Sequence, residues 1–391
     1  MKGLLALVLI CLCLVVYGVD ADDDFWDIRV MQQTPQVEWG ERIGLAQEVR
    51  YAGVPYEGRP TQVFAYIAKP ASGEGSFPAV VLVHGGAGKA YREWAELWAR
   101  KGYIAIAMDL TGKGPTGERL RQAGPEMNQA NIFLPSENDV GLRNGWIYHA
   151  VAAVVRARSL LADMPEVDQG RVGITGISWG GFVTCLVAGM DHRYGAAVPV
   201  YGCGYICEGG FWKNTFRRMS PAYRERWIRL LEPSSVLARV KCPILFVNGN
   251  SDTHFPPENT SRSALLVDEA LRHVTFIDKL RHGHNWKIPE VDAFVNDVLN
   301  GKASLMRILR PVVSGGEVIA TVVGSYEAED VFLYHVPRAV SWKEREWKKF
   351  PAKTDGREIR VSLSDCGDAV FYFSVKDDRE LESTSICGTV D

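Results

Sequence analysis

Ser178 stands in Gly176-Ile177-Ser178-Trp179-Gly180-Gly181, just after the apolar run Val172, Gly173, Ile174 and before a stretch, residues 182–187, that carries no turn signal. A serine between glycines at this spacing suits a strand-turn-helix corner tight enough to push the hydroxyl out above a sheet. A serine hydroxyl is a poor nucleophile at neutral pH, so it needs a base within hydrogen-bond reach and a carboxylate to orient that base. The chain offers both further on. Asp252 ends Asn248-Gly249-Asn250-Ser251-Asp252, after the apolar run 243–247, and Arg281-His282-Gly283-His284 follows the run 274–280. His282 and His284 flank Gly283, and either can turn inward as the base. His254, beside Asp252, is a third imidazole. Asp278 falls inside the expected strand and Asp191 follows the serine helix too closely, which leaves Asp252 as the carboxylate.

A tetrahedral intermediate also needs donors for its oxyanion. His84-Gly85-Gly86-Ala87-Gly88 follows the continuous apolar run 79–83. A glycine-rich loop in that position supplies one backbone N–H, from Gly86 or Ala87, and the residue after the nucleophile, Trp179, supplies the other. The place of His84 in this loop suits a structural hydrogen bond rather than a base.

These residues have to be positioned by strand ends. Apolar runs at 62–68, 79–83, 103–108, 172–174, 196–201, 243–247 and 274–280 read as strands, most of them continuous as in a parallel sheet covered on both faces. Helical spacing recurs between them, at 91–100, 146–161, 258–271 and 289–299. The alternation predicts an α/β fold, a mostly parallel central sheet with helices on both faces, over residues 22–305. Residues 25–49 show no strong period and are expected to lie across the surface. The polar stretch 111–144 leaves a strand end where ligands bind in such sheets, and its length marks it as functional or mobile. An insert at about 203–240 carries Tyr205, Phe211 and Trp212 and is expected to cap the site, with these aromatics as substrate-binding candidates. From residue 311 to 391 only strand-like runs remain (317–323, 331–336, 359–363, 369–375), separated by turn residues, as in a small all-β sandwich.

Composition narrows the ligand. In 391 residues, 44 Lys and Arg stand against 47 Asp and Glu, so no basic track for nucleic acid or anionic membrane is present. No metal or cofactor is called for. Residues 1–21, with Lys2, an apolar run and Val19-Asp20-Ala21, read as a cleaved signal peptide. The apolar run is short for a spanning anchor, and Cys11 lacks a small residue before it for lipidation. A secreted or periplasmic protein is expected, one with no membrane attachment after cleavage. Cys185, Cys203, Cys207, Cys242, Cys366 and Cys387 remain, and Cys203 with Cys207 and Cys366 with Cys387 are the local pairs that export would allow to oxidise.

Taken together, His84-Gly85-Gly86, the Ser178 motif, the Asp252 loop and His282-Gly283-His284 resemble the α/β-hydrolase superfamily. The resemblance is strongest to its acetyl xylan esterase, dienelactone hydrolase and prolyl oligopeptidase-like branch, and it covers about residues 45–300. It implies a Ser-His-Asp triad acting through an acyl-enzyme; the expected export and the lack of room for a propeller favour a small-molecule or glycan ester as substrate, with deacetylation first. A prolyl oligopeptidase-like peptidase is the alternative, though few residues precede His84 to form that family's propeller. An inactive binding protein is a third reading. The branch commonly has Gly-His-Gly at the base, which favours His282 over His284, although Arg281 takes the first glycine's place. The C-terminal β-domain, residues 311–391, resembles the immunoglobulin-like modules appended to some exported hydrolases.

Overall fold

A computed structural model describes residues 25–73, 75–134, 138–341, 344–362 and 368–389. The signal-peptide reading of residues 1–21 lies outside them, as does Cys366. Among the described residues no helix is long and apolar enough to cross a membrane.

Nine strands form one sheet: β1 (Val37–Ile43), β2 (Ala46–Ala52), β3 (Gln62–Ala68), β4 (Phe77–Val83), β5 (Ile104–Met108), β6 (Val167–Ile177), β7 (Ala196–Val200), β8 (Ile244–Gly249) and β9 (Arg272–Ile277). Their order is β1-β2-β3-β5-β4-β6-β7-β8-β9. Pairing is antiparallel from β1 to β5 and parallel from β5 across to β9. The continuous apolar strands have the physical cause expected of them. Val81 and Val83 point into one core with helices Trp146–Ala162 and Trp179–Met190, while Val80 and Leu82 point into the other with helices Arg92–Arg100 and Pro289–Leu299. With both faces covered, alternation has no polar side to report.

Three expectations need correction. Residues 37–52 are not a surface strap but the β1-β2 hairpin at the sheet's antiparallel end. Val49 and Tyr51 join one core and Ala46 the other, and the charged residues between and opposite them mask the period. The helix expected over 258–271 spans only Pro257–Leu265. The last strand ends at Ile277 rather than 280, because Lys279 turns the chain at φ 57°.

The C-terminal strands are β10 (Arg307–Ile308), β11 (Val312–Ser314), β12 (Glu317–Val323), β13 (Ala328–Pro337), β14 (Lys348–Pro351), β15 (Lys353–Thr354), β16 (Glu358–Ser362), β17 (Ala369–Asp377), β18 (Glu382–Thr384) and β19 (Gly388–Thr389). They make two antiparallel sheets, β10-β12-β16-β15 with β11 on β12, and β14-β13-β17-β18 with β19 on β17. Val318, Ala320, Val322, Ile359 and Val361 of the first sheet meet Leu333, Phe371, Phe373 and Val375 of the second in a shared core. The intervening residues of the second sheet, Tyr334 and Tyr372, join the core of the large sheet instead. β17 is therefore buried on both faces.

The sandwich also closes an edge. β9 is the last strand of the large sheet, and an open edge invites pairing with other chains. Here the Phe276 N–H donates to Thr384 Oγ1 at 3.1 Å, and Thr275 Oγ1 donates to the Glu382 carbonyl at 2.9 Å. On β9, His273 is buried edge-on to the Phe294 ring at 5.0 Å. Burial, with the nearby Arg307 adding to it, pushes its pKa down to about 3. The unfolded chain protonates this imidazole near pH 6.5, so between about pH 6.5 and 3 the unfolded state holds more protons and stability falls as pH falls. A His273→Gln protein should show a shallower loss of denaturant midpoint between pH 7 and pH 5 than the parent. Parallel pH curves would mean that another group carries the acid sensitivity.

Candidate active site

β6 delivers Ser178 into a corner that only its neighbours make possible. Ser178 takes φ 58° and ψ −121°, a costly backbone conformation for a side chain with a Cβ. Its N–H donates to the Val200 carbonyl at 2.8 Å, and its carbonyl accepts from Phe182 N–H at 2.9 Å, which pins the corner to β7 and to the helix Trp179–Met190. That helix leaves so steeply that a Cβ on Gly180 would sit 2.1 Å from the Val83 carbonyl oxygen. A Cβ on Gly85 would likewise meet the Ile177 carbonyl at 2.6 Å. The glycines of both motifs are thus what lets the loop after β4 lie against the serine.

The structure brings Ser178, His282 and Asp252 into one hydrogen-bonded line. His282 Nε2 lies 2.8 Å from Ser178 Oγ, and His282 Nδ1 lies 2.6 Å from Asp252 Oδ2. An ionised carboxylate only accepts, so Nδ1 carries the proton and Nε2 is left to accept from the serine hydroxyl. Asp252 is buried, and its other oxygen accepts the His254 and Phe255 N–H groups, both at 2.8 Å. The carboxylate is held from two sides.

His284 lies elsewhere. Its Nε2 comes within 2.8 Å of where a Cβ on Gly88 would be, and its ring packs on Tyr91 at 5.2 Å. It backs the glycine-rich loop instead of facing the serine. His84, buried in that loop, accepts the Leu110 N–H on Nε2 at 2.8 Å and so donates from Nδ1 to the Gly85 carbonyl at 2.7 Å. Burial lowers its pKa. Both histidines shape the loop.

A cleft of about 380 Å³ opens over Ser178, lined by Gly86, Ala87, Trp179, Trp212, Phe211, His254 and His282 together with residues of the segment 127–133. Trp179 is the first residue of its helix, so its N–H has no partner within the helix and faces the region of the serine. Ala87, at φ 56°, turns the opposite loop. Trp212 and Phe211 line the cleft as expected, but Tyr205 does not. Its ring lies under the Arg262 guanidinium, 3.8 Å away, and its carbonyl accepts from Asn259, so it is turned away from the cleft.

The part of the wall from the segment 127–133 is not assigned to particular residues by the sequence. Met127, Asn128, Gln129, Ile132 and Phe133 come from the polar stretch 111–144, whose only signal was its length and its departure from a strand end. The helix Gln129–Phe133 is fastened to the 203–240 insert. Trp227 stacks on Phe133 at 5.8 Å and donates its indole N–H to the Ile132 carbonyl at 3.0 Å. The insert carries two helices, Lys213–Arg217 and Pro221–Leu231, that build this wall. Cys203 and Cys207 are free thiols rather than a bridge. The Cys203 thiol is fully buried among Thr260 and Ser263, and burial, with Glu232 and Glu208 adding to it, pushes the Cys207 thiol up to about 11.

His254, the third imidazole near Asp252, does not face the serine hydroxyl as a base would. Its ring stacks on His282, with centroids 4.5 Å apart and planes at 28°. Burial, and after it the neighbouring His282, lower its pKa, so near neutral pH it packs as an uncharged ring. Asp252, His254 and His282 do present ligand atoms within 4.8 Å of one another. Nearly parallel imidazoles direct their in-plane lone pairs past each other, a poor fit to one tetrahedral ion.

Residues 19–225 match the family model described as acetyl xylan esterase (AXE1). The match takes in residues 84–88 and Ser178 and ends before Asp252 and His282. Over 211 residues the chain is 25% identical to acetyl esterase Axe7A of Xylanibacter ruminicola, covering 51% of this chain and 48% of that one. It thus spans about half the length of that relative. An acetyl xylan esterase from Paenibacillus sp. R4 superposes with a TM-score of 0.56 at 21% identity, over 72% of this chain and 95% of the other. Acetyl xylan esterase 1 from Thermoanaerobacterium sp. gives 0.54 at 20% identity, over 72% and 93%. These two establish likeness of fold.

The positions of the two histidines set different expectations. His282→Ala should lower kcat by about 10⁴-fold or more, as loss of a base in a serine triad does. His284→Ala loosens the glycine-rich loop and should cost no more than about 100-fold. Steady-state kinetics on a nitrophenyl acetate, with circular dichroism as the folding control, separates them. Equal mild losses would remove His282 from the base's role.

Proposed function

The chain belongs to the acetyl xylan esterase family and is a serine-type ester hydrolase of the α/β-hydrolase superfamily; from that premise we propose that it removes acetyl groups from a glycan or a small ester by way of Ser178, His282 and Asp252. The observation that carries this reading is the hydrogen-bonded line from Asp252 through His282 to the strained Ser178. On this reading Ser178 Oγ attacks the ester carbonyl carbon while its proton passes to His282 Nε2. Asp252 holds the imidazolium that forms. The carbonyl oxygen becomes an oxyanion, which the Trp179 N–H and that of Gly86 or Ala87 stabilise. Collapse breaks the bond to the alcohol, which leaves with the proton from His282, and an acyl-Ser178 remains. Water then attacks that acyl group with His282 as base, and the acid and free serine are released.

The cleft supports a small acyl group. Its roughly 380 Å³ lies near the low end of ligand pockets, about 300–1,000 Å³. Apolar side chains, Trp179, Trp212, Phe133 and Ile132, line it, while Phe211 is 59% exposed at the mouth. Such a wall suits a methyl-bearing acyl group at the bottom and a ring-shaped alcohol across the opening. Export through the basic and apolar leader belongs to the same reading, and a mature N-terminus near Ala21 would support it.

The test is a panel of acetylated xylan, acetylated monosaccharides, nitrophenyl esters of increasing acyl length, and dipeptide amides. Acetyl esters should turn over fastest, with rates falling steeply as the acyl chain outgrows the cleft. Ser178→Ala should abolish turnover and also labelling by a fluorophosphonate. Cleavage of peptide amides without ester turnover would overturn the reading in favour of a peptidase.

A further inference from the structure

The hydrogen bonds around Asn250 join three parts of the molecule that lie far apart in sequence. Asn250 is 1% exposed and sits in the turn between β8 and Asp252, where the Asp252 N–H donates to the Gly249 carbonyl at 3.1 Å. Its side-chain amide donates to Asp278 Oδ1 at 3.0 Å, and its side-chain oxygen accepts the Lys279 N–H at 3.3 Å. Asp278 and Lys279 begin the loop that carries His282. One side chain thus sets the Asp252 loop against the His282 loop.

The third part is the sandwich. Trp347 donates its indole N–H to the Asn250 carbonyl at 2.7 Å, and the Asn250 amide also donates to the Tyr372 hydroxyl at 3.1 Å. Tyr372 is itself fixed from several sides. Tyr334 stacks on it at 4.9 Å and 5°, Trp347 meets it at 5.0 Å and Phe276 of β9 at 5.3 Å. These rings lie on the face of the sandwich that shares the large sheet's core. The family match ends at residue 225, so it does not include this domain.

We propose that the C-terminal β-sandwich is a working part of the esterase, with Trp347 and Tyr372 as positioning residues that hold Asn250 and, through it, the spacing between Asp252 and His282. The proposal rests on the reading of Asp252 as the carboxylate that orients His282. A 2.6 Å hydrogen bond between residues on two separate loops survives only if both loops are held. One backbone bond, from the Asn250 N–H to the Ile277 carbonyl at 3.3 Å, ties the two loops where they leave the sheet. The Asn250 side chain fixes it further, because it stands in the Asp252 loop, both of its polar ends bond to the His282 loop, and it is buried where water cannot replace a lost partner.

The experiment uses the full chain and four proteins: parent, Trp347→Phe, Tyr372→Phe and Asp252→Asn. Each phenylalanine keeps a ring in place and removes the hydrogen bond to Asn250, and two independent substitutions guard against one that fails to fold. The readouts are kcat and KM on a nitrophenyl acetate, the acid limb of kcat/KM against pH, and the thermal midpoint. Both phenylalanine proteins should lose about 10- to 100-fold in kcat with KM unchanged. Their acid limb should also move to lower pH, because a carboxylate held less closely favours the imidazolium less. The other groups facing His282 are His254, Tyr201 and His284, and all three are retained in these proteins, so the movement reads the Asp252 contact. A lower thermal midpoint with kcat and acid limb unchanged would overturn the proposal, since a merely structural contact behaves so. If Asp252→Asn is disabled while both phenylalanine proteins match the parent, only the brace fails. If Asp252→Asn itself matches the parent, the role of Asp252 fails and the brace falls with it.

Discussion

A single line of hydrogen bonds from a buried carboxylate to a serine makes the strictest demand on this structure, because its three members stand on three different segments. Ser178 follows β6, Asp252 follows β8 and His282 follows β9, so their distances are distances across a sheet. Neighbouring strands lie about 4.8 Å apart. Only strands running the same way bring their carboxyl ends to one rim, and the register of β6, β7, β8 and β9 is parallel throughout. The covered faces, the crossover helices and the glycines that permit close approach all serve that rim.

The sequence carried the rim's chemistry well and its surroundings less well. Ser178 was legible because the elbow is a local object, with glycines whose missing Cβ atoms leave room at short range. Asp252 and His282 were legible from chain order and from apolar runs that end just before them. His282 was favoured over His284 by the resemblance and by its nearness to the strand end, not by the residue types, since two residues of loop decide which imidazole turns inward. The structure sends His284 behind Gly88 and His282 to the serine. Tyr205 was misread because an aromatic residue in an insert can pack under an arginine as well as line a pocket, and sequence spacing does not distinguish the two. The β1-β2 hairpin escaped notice because its partner residues, such as Val37 and Tyr51, are paired by register and not by period. The wall at 127–133 has the same cause, since Trp227, about 95 positions away, holds it.

The sandwich shows how far a boundary in sequence can depart from one in packing. Read along the chain, residues 311–391 change pattern and look separable. In the structure Leu333, Phe371 and Phe373 face the sandwich core while Tyr334 and Tyr372 face the large sheet, so one sheet serves two interiors. The alternation that marks a strand with one wet face here marks two dry ones.

That arrangement has a consequence for the order of events on the ribosome. The chain emerges amino end first, and β9 is complete about a hundred residues before Glu382 and Thr384, which cover its outer edge. At about 5–20 residues per second, the nascent chain spends several seconds with Ser178, Asp252 and His282 already made and the outer edge of its last strand still uncovered. Through that interval the growing chain has an adhesive border, and a neighbouring copy or a holding chaperone competes for it with residues not yet synthesised.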